Sequence, residues 1–262
     1  MYLTGSLPYQ YSCLFLFILN AFIMKKMLVI GLLIPLIGMG QTKNVISSTR
    51  VFSKPEKIAE FEKALAAHAQ KYHTGDWKWR VWSIDSGPDA GGYMITEGPN
   101  SWTTMDGRGD LSAEHTADWE KNIAPLTVNQ GSQSYFEFIT DLSTVEITDY
   151  ADKILINHMI AKPGRIFTVR DLIKKMKNVW QAGKESVAVY RAVASGDPAF
   201  LTVTRLKQGL KEIDESFRGP LNDRYNTANG AGSFDAFLKD YADAVERRWS
   251  ELLIYKPELS SK

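Results

Sequence analysis

The chain has 262 residues, 44% of them hydrophobic and 23% charged, which is ordinary for a globular protein of one large domain or two small ones. With 31 Lys and Arg against 30 Asp and Glu the formal net charge is +1, so no global field selects nucleic acid or acidic substrates. One cysteine excludes an internal disulfide framework and any cysteine-based zinc cluster, and the 4 histidines stand in no ligand-like spacing. No metal site is expected on that spacing, and the sequence names no cofactor.

Residues 1–40 read as an N-terminal leader. They contain no acidic residue and only two basic ones, Lys25 and Lys26, set between two apolar runs. Read from Met24, the segment has a short basic start, an apolar stretch, and Gly38 and Gly40 ahead of Gln41, the parts of a secretory signal peptide. The expectation is a protein exported to a periplasm or to the medium. The competing reading is an uncleaved anchor, a membrane hairpin with Lys25 and Lys26 in its turn. Each run is shorter than the ~20 residues that span a bilayer comfortably, and Pro35 interrupts the second. Cys13 lies in the leader, so the mature chain needs no oxidative folding.

The remainder reads as a duplication, with one repeat over 41–150 and a second over 151–262. Lys54-Pro55 recurs as Lys162-Pro163, and at the same offset of 108 residues Ile58 meets Ile166, Gly75 meets Gly183 and Val81 meets Val189. Asp89 then meets Asp197, Thr96 meets Thr204 and Asp106 meets Asp214, with no gap over residues 51–107. Each unit opens with a β-rich run (45–53; 153–161) that ends at Lys-Pro, and proline suits the first turn of the helix that follows. Ile58, Phe61, Leu65 and Tyr72 share a face of the first helix, as Ile166, Val169, Ile173, Met176 and Trp180 do in the second. Two strands follow in each unit (77–85 and 91–97; 186–193 and 199–205), joined by turns rich in Gly, Pro and Asp. A second helical region comes next, about 112–123 in the first unit and 234–252 in the second. A closing strand is expected at 134–140, with 252–255 its only counterpart. The polar stretch 219–233 occurs only in the second unit and reads as a surface loop or lid.

The order β-α-β-β-α-β is the ferredoxin-like arrangement. The predicted fold is therefore α+β, two tandem ferredoxin-like repeats forming a pseudo-dimeric α/β barrel. Over about residues 45–255 the chain resembles the dimeric α/β-barrel superfamily in fused form, which includes antibiotic-biosynthesis-monooxygenase-like and NIPSNAP-like proteins. The resemblance rests on repeat order and the Lys-Pro helix starts. It implies facing four-stranded sheets with helices outside and a cavity between sheet and helices, and it carries over no catalytic residue.

Strand parity singles out candidate site residues. Arg50 and His158 occupy the same position of an otherwise largely apolar strand face, and could bind an anionic or carbonyl-bearing ligand or move a proton. Their ordinary reading is a half-exposed face with satisfied hydrogen bonds. His68 replaces Met176 on the helix face toward the sheet, where a polar group must find a partner. Trp82 and its counterpart Tyr190 could stack on a ligand, or fill a core. Trp77 and Trp79 lie on the opposite parity from Trp82. Asp110, Glu114, His115 and Asp118 read as an acidic first helical turn rather than a metal site.

Arg50, His158, His68, Trp82 and Tyr190 are thus the expected ligand-binding set. The expected function is an exported protein that binds a small, partly apolar ligand in a sheet-helix cavity without chemistry. The alternative is a cofactor-independent monooxygenase-like enzyme, and a third reading is an assembly protein without a pocket. No nucleic-acid partner is expected, membrane contact would run only through an uncleaved leader, and pairing into a homo-oligomer fits a fold of this kind.

Overall fold

Alternation of apolar and polar side chains builds eight strands, and in the computed structural model, which describes residues 42–128 and 131–262, they close into one antiparallel barrel. The strands are β1 (Val45–Val51), β2 (Trp79–Ile84), β3 (Tyr93–Asn100), β4 (Ser132–Phe138), β5 (Lys153–Ala161), β6 (Val187–Val193), β7 (Ala199–Arg205) and β8 (Val245–Tyr255). Around the barrel they run β1-β3-β2-β8-β5-β7-β6-β4. The first four lie in the order β4-β1-β3-β2 and the last four in the order β8-β5-β7-β6, with β2 paired to β8 and β4 to β6 where the two sets meet. The leader lies outside the described residues. Among these, no helix is long and apolar enough to cross a membrane.

Helices cover the outside. Pro55 opens a 3-10 turn that leads into α1 (Ile58–Tyr72), and α4 (Ile166–Ala182) follows Lys162 after a turn at Pro163-Gly164. Short helices α2 (Trp102–Asp106) and α3 (Ala113–Asp118) follow β3, while α5 (Glu215–Arg218), α6 (Leu221–Asn229) and α7 (Ser233–Ala244) follow β7. Ser101 and Ser112 cap α2 and α3 by accepting backbone N–H bonds from Thr104 and His115.

Three apolar cores result. One packs α1 on the first half of the barrel through Phe61, Leu65, Val81 and Ile95. A second packs α4, α6 and α7 on the other half through Val169, Ile173, Val189, Phe200, Tyr225 and Phe237. The third fills the barrel itself with Trp82, Met94, Ile154, Ile156, Leu201 and Leu253.

Three expectations need correction. The segment read as helix to residue 252 turns to strand at Val245. Its charges hide a two-residue alternation in which Trp249, Glu251 and Leu253 share a face, and pairing with β5 along nine positions outweighs its helix propensity. The stretch 219–233 is no surface loop, because it forms α6 and buries Tyr225 to 1% exposure in the core.

The gapless offset of 108 also breaks between the second and third strands of each half. Arg50 pairs with Met94 and His158 with Leu201, so the third strands correspond at an offset of 107. Thr96 lines a cavity inside the barrel and Thr204 one under the helices, so this identity joins residues on opposite faces.

Candidate functional site

Among the described residues, the histidines fall into two polar clusters within this apolar framework. The first lies inside the barrel, where β1, β5 and β8 bring Arg50, His158 and Glu251 together. The Arg50 guanidinium forks onto the Glu251 carboxylate, Nη1 donating to Oε1 at 2.8 Å and Nη2 to Oε2 at 2.6 Å. Nη1 also donates to Asp89 at 2.7 Å. His158 Nε2 lies 3.0 Å from Glu251 Oε2, and its ring stacks on Trp249 at 4.3 Å with 5° between planes. Burial would raise the Glu251 carboxyl, but the hydrogen bonds and charges of His158 and Arg50 outweigh it and hold the pKa at about 2. The carboxylate is thus a fixed anion between two cationic or proton-bearing groups.

The predicted recurrence of Arg50 and His158 therefore brings both to one carboxylate. Glu251 was missed because its strand was read as helix. Trp82 and Tyr190 also face the barrel interior, where they line an apolar cavity of about 90 Å³ with Met94, Ile156 and Val203. Arg50, Trp82 and Tyr190 therefore do not line a sheet-helix cavity, whereas His158 also borders one. A cavity of that kind, about 280 Å³, lies in the second half between β5, β7 and the helices α4 and α7.

The second cluster lies in the first half, between α1, α3 and the sheet. The end of α1 and the residue after it supply His68 and His73, α3 supplies His115, β2 supplies Trp79 and β3 supplies Glu97. One ring nitrogen from each histidine lies within 4.8 Å of the other two. His68 Nδ1 is 2.8 Å from Asp118 Oδ2, and His68 Nε2 is buried without a hydrogen-bond partner. His73 Nδ1 faces two acceptors at 3.2 Å, Glu97 Oε2 and the Trp77 carbonyl, and its Nε2 lies 3.2 Å from His115 Nε2.

Trp79 stacks on His73 at 3.4 Å and donates its indole N–H to Glu97 at 3.0 Å. Arg108 closes the network with Nε donating to Glu97 at 2.7 Å. Burial lowers the pKa of His68 and His115 and takes that of His73 to about 4, against the raising effect of their carboxylate or backbone partners. All three rings are neutral at neutral pH. Asp118 is held low first by its bond to His68, while at Glu97 the bonds to His73 and Arg108 overcome burial.

His68 thus belongs to a site the sequence marked by one residue only. His73, Glu97 and Trp79 escaped, and His115 and Asp118 were read as part of a helix start. No spacing pattern finds a set drawn from α1, α3 and two strands. The usable signals were the His68 exchange for Met176 and the parity that separates Trp79 from Trp82.

The sequence matches no known protein family, and no curated protein matches it. Solved structures do resemble it. An anthrone oxidase-like protein aligns at a TM-score of 0.51 and 14% identity, over 82% of this chain and 92% of the other. A provisionally assigned monooxygenase from Fusobacterium nucleatum aligns at 0.50 and 12% identity, over 81% and 92%. At such identities the likeness concerns the fold, an α+β barrel of the dimeric α/β-barrel type. The expectation of a binding protein without chemistry is nevertheless overturned, since both neighbours bear the names of enzymes and the alternative reading fits them better.

Proposed function

We propose that the chain is an enzyme of the oxidase or monooxygenase kind, acting on a small, largely apolar aromatic substrate at the His68–His73–His115 cluster. The observation that carries this reading is the convergence of three neutral imidazoles, two buried and one half-buried, one of them with an unpartnered Nε2, inside a shell of aromatic rings. A hydrogen-bonded structural histidine has no need of such an arrangement, because each buried nitrogen left without a partner costs stability. Neutral imidazoles accept a proton from an acidic phenol or a carbon acid, which is the chemistry that readies such substrates for oxidation. Tyr72, Trp79 and Trp119 lie against the His68 ring, with centroids 5.0 to 5.6 Å away, and offer flat apolar surfaces to an aromatic ring. The neighbours named for oxidase and monooxygenase activity support the same class.

We also infer that the two barrel halves are ferredoxin-like repeats of one ancestral unit. The strand orders β4-β1-β3-β2 and β8-β5-β7-β6 support this, as do the matched Lys-Pro helix starts.

The test is oxygen uptake by the full chain with a panel of anthrones, hydroquinones and phenols. Uptake with at least one of them is expected, falling about 100-fold or more in His115→Ala, the range set by loss of a proton-transfer group. The absence of protein-dependent uptake across the panel, or undiminished uptake by His115→Ala, would overturn the reading.

A further inference from the structure

The tautomers in the histidine cluster are set by its surroundings. Asp118 can only accept a hydrogen bond at neutral pH, so the proton of His68 sits on Nδ1 and its Nε2 presents a lone pair. Glu97 and the Trp77 carbonyl are likewise both acceptors, so His73 carries its proton on Nδ1 and presents Nε2. A carboxylate on the far nitrogen of an imidazole is the arrangement that orients histidine toward a metal ion and raises its basicity. Here it occurs twice, on rings whose free nitrogens share a neighbourhood. His115 Nε2 stands 3.2 Å from His73 Nε2, close to the roughly 3.3 Å that separates two imidazole nitrogens on a tetrahedral ion with bonds of 2.0–2.1 Å. The third ring is close as well, with one ring nitrogen from each histidine within 4.8 Å of the other two.

We propose that His68, His73 and His115 bind one divalent first-row transition-metal ion through their Nε2 atoms. Three imidazoles without a thiolate suit zinc, iron, nickel, copper or cobalt rather than calcium or magnesium. Three protein ligands leave a further coordination position, the pattern of catalytic rather than structural sites. Glu97 and Asp118 supply negative charge behind two of the ligands, and Trp79 stacked on His73 fixes that ring. The second half offers no such set, with Met176 standing where His68 stands and Val187 where Trp79 stands. The inference takes its location from the proposed function but not its reaction.

The test uses untagged full-length chain, stripped with a chelator and titrated with Co²⁺ and Zn²⁺ without substrate. One equivalent of Co²⁺ should bind with visible ligand-field absorption, and Zn²⁺ should displace it. His115→Ala, whose side chain lies at the half-buried rim of the cluster, should weaken binding by more than about 100-fold while keeping the circular dichroism of the parent. Asp118→Asn should weaken it by about 10- to 100-fold, the range for second-shell partners.

If no saturable 1:1 binding appears, or if folded His115→Ala binds as tightly as the parent, the proposal is wrong, and the 3.2 Å contact is a direct imidazole–imidazole hydrogen bond. The outcome separates from that of the oxygen-uptake test. Turnover by a chain that shows no saturable metal binding would remove the metal and leave the enzyme, whereas metal binding without turnover on the panel would do the reverse.

Discussion

Where α1 lies on the first half of the barrel, the contact layer carries His68, His73, Trp79 and Glu97. Where α4 lies on the second half, the layer carries Met176, Trp180, Val187 and, by the register of the third strands, Thr204. The backbone frames match, with a long helix after Lys-Pro and four strands in the same order, yet one layer is a hydrogen-bonded network and the other an apolar core with a cavity. A four-stranded half of this barrel can therefore be stabilised by either kind of layer. Polar groups stay in the first because each has a partner in its own half: Asp118 for His68, Glu97 for His73, Arg108 for Glu97. The barrel interior is where the halves depend on each other, since Arg50 comes from the first and His158 and Glu251 from the second.

The interior network should give the largest effect. Glu251→Ala leaves the largely buried Arg50 charge with Asp89 as its remaining carboxylate and takes the partner from His158, and should cost about 3 kcal/mol of stability, read from denaturant unfolding. A loss below about 1 kcal/mol would mean that the halves do not depend on this contact. Acidification should give a loss of similar size in the same direction. The Glu251 carboxyl is at about 2 when folded and near its ordinary value of roughly 4.5 when unfolded. The folded state therefore gains from it fully above about pH 4.5 and loses that gain, on the order of 3 kcal/mol, as pH falls toward 2. Glu251→Gln should flatten this part of the acid-unfolding curve; an unchanged slope would count against the fixed anion.

The sheet-helix layers can be exchanged more gently. Met176→His puts an imidazole into the second layer with no carboxylate arranged to hold it, and should destabilise by about 1–3 kcal/mol. His68→Met should change stability by less than about 1.5 kcal/mol, because the thioether fills a similar space and Asp118 reaches solvent. If thermal unfolding showed the reverse order, the first layer would owe its stability to the histidine network rather than merely tolerate it.

Much of the frame was legible in the sequence. The strands at 153–161 and 199–205 lie where alternation placed them, and both Lys-Pro segments lead into helices. The site was legible only in fragments. His68 stood out because a polar residue sat on an apolar stripe, and Arg50 and His158 because parity matched them. His73, His115, Glu97 and Glu251 carried no local signal, since nothing in the neighbouring sequence distinguishes a buried ligand-like group from a surface one. The slip at Thr96 and Thr204 shows the same limit: an identity in sequence says nothing about which face of a sheet a residue occupies once a turn differs in length.

Local forces therefore determined the repeating order of elements, because hydrophobic periodicity, proline geometry and turn residues act over a few positions and need no distant partner. Tertiary structure alone decided that β8 is a strand, that Arg50 and His158 share one carboxylate, and that three histidines meet. Those outcomes depend on residues 42 to 201 positions apart in the chain, and burial and pairing across the barrel outweigh any local preference.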